Sequence, residues 1–196
     1  NALHMKGETL GNVHFAINYL TNPDSYRLGE TLNVIGAGNA AMDVCRTAVR
    51  KGVRHVHCFS RTSKAAASKH ELDYAMLEGV EMHYNKQPVE IVDEGVYFED
   101  TVEHEDGTCE TVPDSRTLYP ADSTIIAISQ GPRNRLVSTT RGLEANERGL
   151  LVADACGRTT RPGIFASGDV TSGARTVVEA VEHSKHVAEA MDAYMQ

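Results

Sequence analysis

The sequence lacks several features that would each have settled its class. No apolar run approaches the roughly 18 residues at which a membrane-spanning helix becomes the reading. The opening stretch, NALHMKGETLGN, has neither the basic nor the apolar segment of a secretory leader. It also does not begin with Met, so the chain reads as a piece of a longer protein with a short scar at Asn1–Ala2. The net charge is -8, which excludes the basic surface that nucleic-acid binding requires. Cys45, Cys58, Cys109 and Cys156 are far apart in sequence, with neither CxxC nor zinc-finger spacing. They read as reduced thiols of a cytoplasmic protein. The nine histidines are scattered. His55 and His57 flank one strand position, and His183 and His186 lie one turn apart, with no cysteine or acidic cluster matched to them. They read as surface histidines, and no metal site is expected. None of the seven tyrosines is followed four positions later by Lys, so the short-chain dehydrogenase pair is missing.

What remains is an ordinary globular balance, 41% hydrophobic and 23% charged, in a chain long enough for one domain and part of another. Residues 12–26, NVHFAINYLTNPDSY, have a helical look, with Val13, Ile17 and Leu20 at helical spacing before a break at NPDS. TLNVIG (31–36) reads as a buried strand, 39–51 as a helix stopped by Gly52, and VRHVHCFSR (53–61) as the next strand. A helix over 67–80 and a strand over VEMHYNKQPVEIV follow. This β-α-β-α-β order predicts a parallel sheet with crossover helices. After Glu90 the pattern changes to short extended runs separated by turn residues, including Asp106-Gly107, a hairpin signal. This predicts an antiparallel meander, after which STIIAIS (123–129) rejoins the main sheet. Two further strand candidates and a helix over roughly 173–195 close the chain.

The stretch VIGAGNAAMD (34–43) carries the first chemical signal. In Gly36-x-Gly38-x-x-Ala41, the first glycine permits the tight strand-to-helix turn. The second lets backbone approach a pyrophosphate, and the small third position lets helix pack on strand. The helix then aims its free N–H groups and positive end at the phosphates. Gly36, Ala37, Gly38, Asn39, Ala40 and Ala41 are therefore candidate cofactor residues, with Asn39 expected to cap the helix. Asp43, read as first-turn, fits either simple dipole stabilisation or proximity to a nicotinamide. The second strand decides the nucleotide. An NAD site places Asp or Glu at its end, about 20 residues on, for the ribose 2′-hydroxyl. Here the strand ends CFSRTSK, with no acid. Ser60, Arg61 and Lys64 offer hydrogen bonds and positive charge to a 2′-phosphate instead, and NADP is favoured over NAD. The alternative for Arg61 is a solvated loop cation.

A second informative stretch is TTRPGIFASGDV (159–170). Gly168 leaves room for a ligand, and Asp169 offers an acceptor to a sugar or ribitol hydroxyl. The segments GAGNAAMD, FSR, AISQGP and GRTTRPGIFASGDVTSGARTVVEA, in this order, resemble the C-terminal half of the glutamate synthase small-subunit family. That family belongs to the flavoproteins with two dinucleotide-binding domains, as does the related part of dihydropyrimidine dehydrogenase. The resemblance runs from about Gly11 to the end. It implies a Rossmann-like parallel sheet with an antiparallel β-meander insertion, plus the C-terminal part of an FAD-binding domain. The implied division is a linker helix region (1–29), an NAD(P)-binding domain (30–131) and the C-terminal part of the FAD domain (132–196).

By the same resemblance, Gly36, Gly38, Asn39 and Ala41 match the NADPH pyrophosphate loop and Arg61 the 2′-phosphate arginine. Ser129, Gln130 and Gly131 match the strand end near the nicotinamide. Gly168 and Asp169 match the second FAD motif, and Thr176 and Val177 the helix start that faces the flavin pyrimidine ring. The chain carries a single glycine fingerprint, so the first half of the FAD domain is missing, as is the cysteine-rich iron–sulfur module of these relatives. The FAD site is expected to be incomplete here, the missing modules and a downstream oxidoreductase subunit being the expected partners. The reading is a fragment that binds NADPH and passes hydride to FAD. No catalytic side chain is named, because the cofactors carry that chemistry. A self-contained NADP-dependent dehydrogenase and a non-catalytic NADP(H)-binding domain are the alternatives.

Overall fold

The computed structural model describes residues 3–128, 131–132 and 135–196. The chain divides into two compact units, Asn1–Ser129 and Gln130–Gln196. In the first, strand β1 (Val13–Phe15) leads into helix α1 (Ala16–Thr21) and then β2 (Thr31–Ile35). Helix α2 (Asn39–Arg50), β3 (His55–Phe59), α3 (Lys69–Leu77) and β4 (Glu81–His83) follow. Strands β5 (Lys86–Val92), β6 (Gly95–Glu103), β7 (Cys109–Thr111) and β8 (Thr117–Pro120) form the meander, and β9 (Ser123–Ile126) returns to the main sheet. That sheet has the order β1-β9-β2-β3-β4, and every pairing in it is parallel. The meander is antiparallel, with β6 paired to β5, β7 and β8.

A parallel sheet must be covered on both faces, and the side-chain alternation of its strands divides them accordingly. Leu32 and Val34 of β2, Val56 and Cys58 of β3 and Ile125 of β9 join Ala41, Val44, Cys45 and Ala48 of α2 in one apolar cluster. Ile35, Phe59 and Ile126 point to the other face, where Ile91, Val96 and Phe98 of the meander cover them. The insertion is therefore the second layer of the core. Each fully buried Val or Leu of this kind stabilises by roughly 1.5–3 kcal/mol relative to exposure.

Three expected elements differ. Residues 13–15 are a strand, because Val13–Phe15 pairs in parallel with Thr124–Ile126. The helix is only Ala16–Thr21, buries Ala16 and Tyr19, and leaves Ile17 exposed. The run 80–92 is two strands in two sheets. Asn85, at φ 55, turns the chain between β4 and β5. In the second unit, the short helices α4 (Arg135–Thr139) and α5 (Asp169–Ser172) precede α6 (Val177–Met195). The two expected strands there are single bridges, Ala145 with Leu151, Ala153 with Thr159 and Arg158 with Phe165. Gly149, Gly157 and Gly163, all at positive φ, turn each partner segment before a ladder can extend.

Candidate functional site

The glycine loop separates two roles that its sequence left together. Gly36 follows β2 at φ 118, and its N–H donates to the Phe59 carbonyl at 3.0 Å. A Cβ there would lie 2.5 Å from the Ala127 carbonyl oxygen, so the fold itself demands glycine. Gly38 is the N-cap of α2 at φ -89, and a Cβ there would meet nothing within 4 Å. Nothing among the described residues requires Gly38 to lack a side chain. The open space at a helix N-terminus is what an approaching phosphate needs. The first bonds of the helix run from Ala41 and Met42 to the Gly38 carbonyl, so the amides of Asn39 and Ala40 precede the ladder. Ala41 is fully buried, which gives the close helix-on-strand packing.

Two expectations on this helix are corrected. Asn39 does not cap it. Its side-chain oxygen accepts from the Ser68 N–H at 2.8 Å, and Ala67 donates to the Ala37 carbonyl at 2.9 Å. These bonds tie the start of α3 to the glycine loop, and Ser68 itself caps α3. Asp43 lies one turn in, and the first turn holds no acid. Dipole stabilisation, which is confined to that turn, does not account for it. Desolvation and the neighbouring Glu71 carboxylate raise the Asp43 carboxyl, with Arg46 opposing them.

The end of β3 is a built loop. Ser60 is 6% exposed, and its hydroxyl donates to the Lys64 carbonyl at 2.9 Å and accepts from Thr62 N–H. Its backbone joins β4, donating to His83, and also receives the Lys86 N–H. Ser60 therefore shapes the loop that carries Arg61 and Lys64. The Thr62 hydroxyl also donates to the Lys64 carbonyl, and the Arg61 carbonyl accepts from the Thr101 hydroxyl at 2.6 Å. Glu103 accepts from both the N–H and hydroxyl of Ser63, which holds its carboxyl below the usual range. The result leaves the Arg61 and Lys64 side chains exposed on a braced loop. No carboxylate pairs with Arg61 among the described residues. Thr62 could be guessed from the local Ser/Thr pattern. Thr101 and Glu103 come from the meander and leave no local signal.

In the second unit, Gly168 caps α5 at φ 70, and its N–H donates to His183 Nδ1 at 3.3 Å. Asp169 is exposed, and its carboxylate accepts from the Arg175 N–H at 3.4 Å. Thr176 caps α6 in a capping box: its hydroxyl accepts from Glu179 N–H while the Glu179 carboxylate receives the Thr176 N–H. The helix thus starts at Val177 rather than near 173, a boundary written in Thr176-x-x-Glu179. Gly168, Asp169, Thr176 and Val177 line one groove of about 600 Å³, joined by Arg175 and Lys185, which the motif had not singled out. Val177 and Val178 are 79% and 76% exposed. Gly131 is exposed outside any element, and Ser129 and Gln130 lie outside the described residues.

Residues 1–184 match the family described as Pyridine nucleotide-disulphide oxidoreductase. The chain belongs to that family. Its sequence is 33% identical to the glutamate synthase [NADPH] small chain of Halomonas elongata, over 96% of this chain and 46% of that protein. It is also 33% identical to the beta subunit of the NADP(+)-dependent formate dehydrogenase of Moorella thermoacetica, over 86% of this chain and 25% of that subunit. The chain therefore spans less than half the length of either relative. Among solved structures, T. acidophilum thioredoxin reductase superposes with a TM-score of 0.77 at 23% identity, over 98% of this chain and 62% of that one. The shared fold of the family member is the mixed α/β arrangement described above, with its parallel sheet and antiparallel insertion. No helix among the described residues is long and apolar enough to cross a membrane.

Proposed function

We propose that this chain is part of an NADPH-dependent flavoprotein oxidoreductase, with residues 30–131 holding NADPH and residues 132–196 supplying the C-terminal part of an FAD site. When bound, the two cofactors supply hydride transfer from nicotinamide to flavin. The chain's own residues bind and orient. The Asn39 and Ala40 amides, which have no hydrogen-bond partner among the described residues, offer N–H groups at the α2 terminus beside the open space at Gly38. Asp169 offers an acceptor to a ribityl hydroxyl, and the N-terminus of α6 at Thr176–Val177 supplies a positive end for charge on a flavin ring. The exposed apolar start of α6 fits a surface covered by the rest of an FAD domain. Since the chain matches under half of each relative, the remaining FAD and iron–sulfur modules, the downstream acceptor subunit and the cytoplasmic setting belong to the same proposal.

The observation that carries the choice of NADP(H) is the end of β3, where the braced 60–64 loop exposes Arg61 and Lys64 and presents no carboxylate to a ribose. A guanidinium makes charge-assisted bonds to a 2′-phosphate that a 2′-hydroxyl cannot match. Replacing Arg61→Ala is expected to weaken NADPH by roughly 1.5–3 kcal/mol and leave NADH nearly unchanged, read by calorimetric titration of both. Equal losses for the two nucleotides would remove Arg61 from the 2′-phosphate role.

A further inference from the structure

The parallel register of β3 and β4 sets His57 beside Glu81 and Phe59 beside His83. The three polar side chains meet on one face of this strand pair, although the histidines are far apart in sequence. His57 Nδ1 lies 3.1 Å from His83 Nε2 and 3.4 Å from the Glu81 carboxylate, and one ligand atom from each lies within 4.8 Å of the others. We propose that His57, Glu81 and His83 form a binding site for a single divalent transition-metal cation, Zn²⁺ by ligand class. The scattered histidines of the sequence are here brought together by a strand pairing.

Direct hydrogen bonds among the three side chains cannot pair all of them at once. His57 Nδ1 faces both an imidazole nitrogen and a carboxylate oxygen, and it carries at most one hydrogen. If that hydrogen goes to Glu81, the His83 nitrogen lacks a partner in His57. If His83 donates to the Nδ1 lone pair instead, the Glu81 carboxylate receives no hydrogen from His57. A cation satisfies all three at once. Bonds of 2.0–2.2 Å in a tetrahedron put neighbouring ligand atoms about 3.4 Å apart, which matches the two separations from His57 at 3.1 and 3.4 Å, while the third pair, within 4.8 Å, has to draw closer around an ion. Two imidazoles and one carboxylate leave a fourth position for water. The site is walled on one side and open on the other. His83 stacks on Phe59 at 4.8 Å and meets the Tyr119 edge at 5.2 Å, which fixes its ring plane. The side chains of His57 and Glu81 are 21% and 60% exposed, so an ion has a path in. Lys86, the nearby cation, is held in a salt bridge by Asp100. An ion here would staple the edge strand β4 to β3 at His57, three residues before Ser60, whose N–H donates to the His83 carbonyl.

The test is titration of the chelator-treated chain with Zn²⁺ by calorimetry and with Co²⁺ by visible absorption. One equivalent should bind, the Co²⁺ form should show the intense bands of a four-coordinate site, and Zn²⁺ should raise Tm. Glu81 is exposed, so Glu81→Gln should keep the fold, and it should weaken binding at least about tenfold. His57→Gln should weaken it further, while His183→Gln on α6 should leave it unchanged. No saturable binding, or binding that Glu81→Gln and His57→Gln leave intact, would overturn the site.

Discussion

At the scale of single residues, Gly36 and Gly38 make the sharpest contrast. Gly36 is glycine for the fold, since any Cβ collides with the Ala127 backbone and φ is 118. Gly38 has ordinary φ and open space, so its small size is left for a ligand to use. Gly36→Ala is expected to cost about 2 kcal/mol or more in urea unfolding. Gly38→Ala should change stability by no more than about 0.5 kcal/mol yet abolish dinucleotide binding. A Gly38→Ala protein as destabilised as Gly36→Ala, or one that still binds, would contradict this division. Glycine positions are legible in sequence because turn sterics are local. Side-chain bonds are less so. Asn39 looked like a cap residue, but its side-chain oxygen takes the Ser68 amide, and the Ser60 hydroxyl donates to the Lys64 carbonyl. Both partners lie beyond the motif, and only the folded loop shows them.

At the scale of elements, α2 and α3 are joined by an ion network. Arg46 reaches Glu71 at 2.7 Å and Glu78 at 3.0 Å, and Arg50 reaches Glu78 at 2.7 Å. The Arg50 hydrogen bond and then Arg46 hold the Glu78 carboxyl below its ordinary value of 4.5. A depressed acid contributes stability that is complete above its unfolded value and is lost as pH falls through the folded one. Tm should therefore drop below about pH 4.5, and the drop should be shallower in Glu78→Gln than in the parent chain. Identical acid limbs in both would show that the network contributes nothing. The β-α-β-α-β order was readable because periodicity and glycine stops are properties of each segment. The element β1 was not, since three residues form a strand only by pairing with β9. Nor was the β4–β5 break, because only the short polar run 85–87 interrupts two extended segments and the strands differ in which sheet receives them.

At the scale of the whole molecule, the two motifs lie in two compact units, and the chain spans less than half of the Halomonas elongata and Moorella thermoacetica relatives. Under the proposed function, the full-length protein mixed with NADPH without oxygen should lose its oxidised-flavin absorbance. A flavin that stays oxidised would limit the chain to nucleotide binding. The same proposal divides the chain into a dinucleotide unit and a flavin-facing segment, on two motifs that stand in family order. The strands of the second motif were not formed as expected, since the local glycine turns limit them to single bridges. The central claim is that the first unit selects a 2′-phosphate. The most direct measurement is calorimetric titration of the unmodified chain with NADPH and NADH under the same salt. The account predicts that NADPH binds at least about tenfold tighter, as a charge-assisted bond of at least about 1.5 kcal/mol requires. Equal affinities, or tighter binding of NADH, would contradict it.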